Sequence, residues 1–143
     1  MKRETKTIRQ TESIPAKPID VYEALIDGKR HSEFTGSKAT SEPKVGGKFT
    51  AWDGYIFGKN LKLEKAKRIV QEWKTTEWPA DYPPSTAEFT LKETEDGTEL
   101  TMVHSDVPAE QVDSYRQGWT DFYWKPMKQY FKRKNRKETS VND

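Results

Sequence analysis

The segment that decides the fold is Gly118–Phe131, GWTDFYWKPMKQYF, in which six of fourteen residues are aromatic. With residues spaced about 100° apart around a helix, Val112, Tyr115, Trp119, Phe122, Tyr123, Met127 and Tyr130 fill one arc. Ser114, Asp121, Lys125, Lys128 and Lys132 fall opposite it. The arc is about 140° wide, and Trp124 and Phe131 on its flank extend it to about 200°, against roughly 100° for a helix lying on a flat surface. Such a helix is predicted to be gripped by a curved partner. Its indole and phenol groups require hydrogen-bond partners when buried. A cavity beside the helix therefore stays open as an alternative to ordinary packing. Pro126 removes a backbone bond on the apolar side and is expected to kink the helix.

Upstream of this helix the period changes from 3.6 to two. Phe49 and Ala51 alternate with Thr50 and Trp52, and Asp53-Gly54 is a two-residue hairpin signal, because both central positions need positive φ. That turn predicts pairing of Trp52 with Tyr55, Ala51 with Ile56, Thr50 with Phe57 and Phe49 with Gly58. Residues 67–74 read as a strand with Ile69, Gln71 and Trp73 on one face. After the loop WPADYPPS, Ala87, Phe89 and Leu91 alternate with Glu88, Thr90 and Lys92. Asp96-Gly97 marks a second hairpin, after which Leu100, Met102 and His104 share a face. The long helix is predicted to start at Pro108, whose missing N–H costs nothing in a first helical turn.

Towards the amino terminus, residues 5–14 (TKTIRQTESI) suit an edge strand. A helix begins near Pro18 and is expected to stop at Gly28, and a short helical turn through RHSEF ends at Gly36. The order is one strand, two short helices, six strands and one long helix. It predicts an α+β fold in which a curved antiparallel sheet wraps around the C-terminal helix, a helix-grip architecture. The domain is expected to span residues 1–131. Residues 132–143, which lack apolar periodicity, are expected to form a basic, disordered tail.

The chain has 143 residues, 34% of them charged, with a formal net charge of +2, two histidines and no cysteine. The near-neutral balance argues against a nucleic-acid partner. The absence of cysteine excludes disulfides, thiolate metal sites and a cysteine nucleophile. No signal-peptide core and no run of about 20 apolar residues occurs, so a cytoplasmic protein without a membrane partner is expected. Isolated histidines and unpaired acids predict no metal, no cofactor and no catalysis.

Three stretches also carry a resemblance: VGGKFTAWDGYIFGKNLKLEKAKRIVQEWK (45–74), GTELTMVHSDVP (97–108) and the aromatic segment. Together they resemble the C-terminal domain of the activator of the heat-shock protein 90 ATPase, in the START-like (SRPBCC) superfamily. The resemblance covers roughly residues 8–131. It rests on Gly46-Gly47 before Phe49, Asp53-Gly54, Gly58, the Trp73 strand and Gly118-Trp119. It implies the helix-grip fold and a heat-shock-protein-90-type chaperone as partner. The eukaryotic activators carry a separate N-terminal domain that contacts the chaperone's middle segment. This chain has no room for that domain, so weak chaperone binding is expected.

Two candidate sites emerge from facing. A cavity for a small apolar or aromatic molecule would be walled by Trp73, Phe89, Leu91, Met102, Trp119 and Tyr123. His104 would stand near its rim, as a polar anchor or simply as a hydrogen-bonded side chain. On the first hairpin, Trp52, Tyr55 and Phe57 lie opposite Phe49, Ala51, Ile56 and Gly58. They form either a partner surface or a face covered by another segment. His31, in a polar helical turn, is expected to be exposed. The basic run KRKNRK (132–137) reads as solvated, without the stacking aromatics of a single-strand binder.

Overall fold

Seven antiparallel strands form one sheet in the order β1-β7-β6-β5-β4-β3-β2. They are β1 (Thr5–Ile14), β2 (Thr40–Ser41), β3 (Lys48–Ala51), β4 (Ile56–Glu64), β5 (Arg68–Thr75), β6 (Ser85–Thr94) and β7 (Gly97–Pro108). The computed structural model describes residues 4–141, and the side chains of residues 4–135. The apolar faces predicted strand by strand merge across the sheet. Ile69 lies opposite Phe89 and Phe89 opposite Met102, while Gln71, Ala87 and His104 form the next row. On this surface the C-terminal helix lies. The architecture is the helix grip, with β1 on the sheet edge as its composition predicts.

The first hairpin keeps its predicted register at Ala51–Ile56, Thr50–Phe57 and Phe49–Gly58. The turn itself is wider than a two-residue loop. Trp52 joins Asp53 and Gly54 at positive φ (53°, 56° and 90°). A bulky residue rarely adopts that conformation, and here it breaks the alternation of faces between Ala51 and Tyr55.

Between β1 and β2, α1 (Pro18–Ile26) and α2 (Gly28–Thr35) pack against the domain. Gly28 opens α2 rather than only closing α1. Asp27 explains the early start, since its carboxylate accepts the Arg30 N–H at 2.9 Å and caps α2. Gly36, at φ 78°, ends it in the left-handed region.

The long helix departs from its predicted start, centre and end. β7 runs to Pro108, and a 3₁₀ turn (Ala109–Gln111) precedes α3 (Val112–Trp119). A π-turn, Thr120–Trp124, then joins α3 to α4 (Lys125–Val141). Pro126 supplies the reason: it has no N–H to donate to the Phe122 carbonyl. The ladder shifts just before it, and the Lys125 N–H reaches Thr120 instead. The extra residue rotates the remainder of the helix by about one position, or about 100°. Trp124 and Phe131 consequently turn inward, 1% and 4% exposed, whereas Phe122 is 54% exposed. α4 also continues beyond Phe131, so residues 132–141 are helical rather than a disordered tail. Lys, Arg and Glu are good helix formers, and no breaker interrupts them before Val141. The side chains of Arg136 and Lys137, in the basic run, lie outside the described residues, as do residues 142–143.

Candidate functional site

An open cleft of about 420 Å³ lies between the first hairpin turn and the C-terminal helix. Trp52, Tyr55 and Ile56 form the hairpin wall, and Trp73 on β5 contributes from the sheet. Across from them, α3 and the π-turn present Tyr115, Gly118, Trp119, Phe122 and Tyr123, with Ser114 beside them. The Phe122 ring meets the Trp52 indole edge-on, centroids 5.4 Å apart. π-turns inside helices recur at functional sites, and this one supplies two of the cleft residues.

The polar tips of this wall point away from the cleft into the core. Trp119 donates its Nε1–H to Nδ1 of His104 at 3.1 Å. That bond leaves the His104 proton on Nε2, from which it is donated to Ser85 Oγ at 2.7 Å. The Ser85 hydroxyl in turn donates to the Trp73 carbonyl at 2.8 Å. A second chain runs through Tyr123, whose hydroxyl donates to His31 Nε2 at 3.1 Å, while His31 Nδ1–H donates to the Leu25 carbonyl at 3.2 Å. Tyr115 Oη bonds Thr75 and Gln111. Facing the cleft are ring surfaces.

Both histidines are neutral in these chains. Burial pushes the His31 imidazole down to about 4, against a weaker raising effect of its bond to Leu25. Burial alone pushes His104 down to about 3. His31 is thus buried, not exposed: α2 carries it against Phe34 and Tyr123, with centroids 4.9 and 5.3 Å away. His104 is fully buried rather than near a rim, because β7 extends past it to Val107, which is also fully buried.

Of the residues predicted to wall a cavity, Trp73, Trp119 and Tyr123 line the cleft. Phe89, Leu91, Met102 and His104 belong to the packed core behind them. Trp52, Tyr55 and Phe57 are not brought together on one outer face. Trp52 and Tyr55 turn towards the cleft because of the positive-φ turn, and Phe57 stays on the outer face, 37% exposed. Ile56, Ser114, Tyr115, Gly118 and Phe122 complete the cleft, although their sequence pattern alone does not mark them as a site. The available signal is Gly118, a glycine inside a helical pattern. Among the described residues no group of three or more His, Cys, Asp or Glu side chains is placed to hold a metal ion. No helix among them is long and apolar enough to cross a membrane.

Trp119 ties the cleft to the core, so its replacement by phenylalanine tests the network. The ring is largely conserved, but the donor to His104 is lost and a buried acceptor is left unpaired. Trp119→Phe is expected to cost about 1–3 kcal/mol in stability. An unchanged melting midpoint would show that the Trp119–His104 bond contributes nothing.

Known proteins resemble this chain in sequence and in fold. A family model described as Activator of Hsp90 ATPase homolog 1-like protein matches residues 15–132. The human Activator of 90 kDa heat shock protein ATPase homolog 1 is 32% identical over 127 residues, covering 89% of this chain and 37% of that protein. A Dictyostelium discoideum protein, Activator of 90 kDa heat shock protein ATPase homolog, is 30% identical over 118 residues, covering 80% of this chain and 30% of its own length. The chain thus spans about a third of the length of these curated relatives. Among solved structures, an HSP90 activator from Plasmodium falciparum matches with a TM-score of 0.75 and 27% identity, covering 82% of this chain and 89% of that one.

Proposed function

Because the chain belongs to the Activator of Hsp90 ATPase homolog 1-like family, we propose that it is a non-catalytic interaction module for a 90-kDa heat-shock-type chaperone. The observation that carries this is the extent of the family match, from Pro15 through strands β2 to β7 to Lys132 on α4. Relatives that align over the same fold are named as activators of that chaperone's ATPase. The chemistry of the site favours docking over catalysis. Each ring nitrogen of His31 and His104 is committed to a bond inside the protein, so neither histidine is available as a general base. The proposed location is cytoplasmic, with the chaperone.

ATP hydrolysis by the cognate chaperone, measured with this protein in excess, tests the assignment alongside calorimetric titration of the two proteins. Saturable binding is expected, with stimulation well below that produced by a full-length two-domain activator. No heat of binding together with an unchanged hydrolysis rate would sink the chaperone assignment. Stimulation equal to the two-domain activator's would sink only the expectation of a weak effect.

A further inference from the structure

Charge is sorted across the sheet. Residues 38–75, which hold β2 to β5, carry nine Lys or Arg side chains against four Asp or Glu. Residues 76–113, which hold β6 and β7, carry ten Asp or Glu against one Lys. β6 lies beside β5 in the same sheet, so a basic half adjoins an acidic half, although the formal net charge is only +2.

The register places the basic side chains on the outer face, away from the C-terminal helix. Phe49, Gly58 and Trp73 lie opposite one another, with Phe49 and Trp73 buried on the inner face. The rows on either side therefore face outward. One row is Thr50, Phe57 and Lys74, and the other is Lys48, Lys59 and Glu72. Two features of these rows do not serve the packing of the domain. Lys48 stands directly opposite Lys59, and a like-charge pair in that position destabilises a ladder. Glu72 reaches only Lys59, at 4.0 Å, and the Glu42 carboxylate accepts the Lys48 backbone N–H. In the adjoining row the Phe57 ring is 37% exposed beside Lys74.

We propose that the outer face of β3 to β5 is a docking surface for an acidic protein segment bearing an apolar side chain, which packs on Phe57 while its carboxylates meet Lys48, Lys59 and Lys74. Charge complementarity sets the sign of the partner, and an exposed ring within a polar surround suits an apolar anchor with a charged rim. The borders of the patch set its size. Three strands spaced about 4.8 Å apart span about 10 Å. On β6 the next outward residue is Glu88, opposite Val70, with the acidic half beyond it. A nucleic acid or an anionic membrane presents extended negative charge and would run onto that half. A short acidic segment fits on the basic half alone. This docking goes beyond the chaperone assignment and does not rest on it, since the protein is tested with peptides.

The probe is a short acetylated peptide of Glu and Asp with one central Leu. Its counterparts carry Ser in place of the Leu, or Gln and Asn in place of the acids. Binding is followed by calorimetry and by the backbone amide resonances of β3 to β5. The acidic Leu peptide is expected to bind saturably, about tenfold more tightly than the Ser peptide, and to shift those resonances. The amide peptide should not bind. Raising the salt from about 0.05 M to about 0.5 M should weaken binding about tenfold. Lys48→Glu/Lys74→Glu should abolish it, and Phe57→Ser should bring the Leu peptide to the level of the Ser peptide. Lys48→Glu alone should weaken binding yet raise the melting midpoint, because it turns the pair with Lys59 into one of opposite charge. Absence of saturable binding, equal affinity for the acidic and amide peptides, or unchanged affinity in Lys48→Glu/Lys74→Glu would overturn the proposal. So would tighter binding of an oligothymidylate or of phosphatidylserine vesicles, or salt-sensitive dimerisation in sedimentation that Lys48→Glu/Lys74→Glu removes. If Phe57→Ser fails to fold, the affinities of the Leu and Ser peptides for the wild type decide the apolar contact.

Discussion

Lowering the pH from 7 to about 4.5 is expected to remove about 5 kcal/mol of folding stability through the two histidines alone. In the unfolded chain each imidazole titrates near 6.5, whereas in the fold burial holds His31 at about 4 and His104 at about 3. Above pH 6.5 both are neutral in both states, and the stability is fully present. As the pH falls below that value the unfolded chain takes up two protons that the folded protein refuses. Stability then falls by up to about 3 kcal/mol per pH unit, until His31 protonates in the fold. A loss of that size is comparable with the whole stability of many domains. Two measurements check it. The ring-proton resonances of both histidines should stay unshifted from pH 7.5 to 5, and urea midpoints should drop steeply below pH 6.5. A histidine titrating with a midpoint near 6, or a slope corresponding to less than one proton, would refute it. Replacing His104 with Asn should remove about half of the pH dependence.

The second large effect is expected at Gly58, in the first hairpin. This residue lies opposite Trp73 across the β4–β5 ladder. A Cβ there would overlap the Glu72 carbonyl oxygen and press on the Phe49 ring, 3.1 Å away. The obstruction is backbone, which cannot rotate aside as a flexible side chain would, so the strands must separate or slip. Gly58→Ala should therefore cost about 3 kcal/mol or more, above the usual range for overpacking. Gly54 provides the control. A Cβ there meets nothing within 4 Å, and its cost is confined to holding φ 90°, about 1–2 kcal/mol. Denaturant unfolding of Gly58→Ala and Gly54→Ala side by side should show the first far more damaged. Equal midpoints would mean that β4 and β5 are not as close at Gly58 as the structure has them.

By itself the sequence determined the elements and their faces. Asp53-Gly54 pinned the first hairpin because both turn positions need positive φ. The alternations through Ile69–Trp73, Ala87–Leu91 and Leu100–His104 identified the residues that become the inner surface. The width of the aromatic arc showed that the last helix must be enclosed. These are local properties, since period and turn chemistry act over a few residues. What only the tertiary structure decided lay between elements. His31 reads as polar along its own helix, and it is the packing of α2 against Tyr123 that buries it. A fixed 100° period cannot contain the π-turn before Pro126, so the arc placed Phe122 inside and Trp124 on the flank. Facing alone also could not separate the cleft from the core. Trp73 and Phe89 lie on the same sheet surface, but only Trp73 stands where the hairpin turn and Gly118 leave space. The site was spread over residues that meet across long sequence distances, and periodicity within an element carries no record of which faces come together.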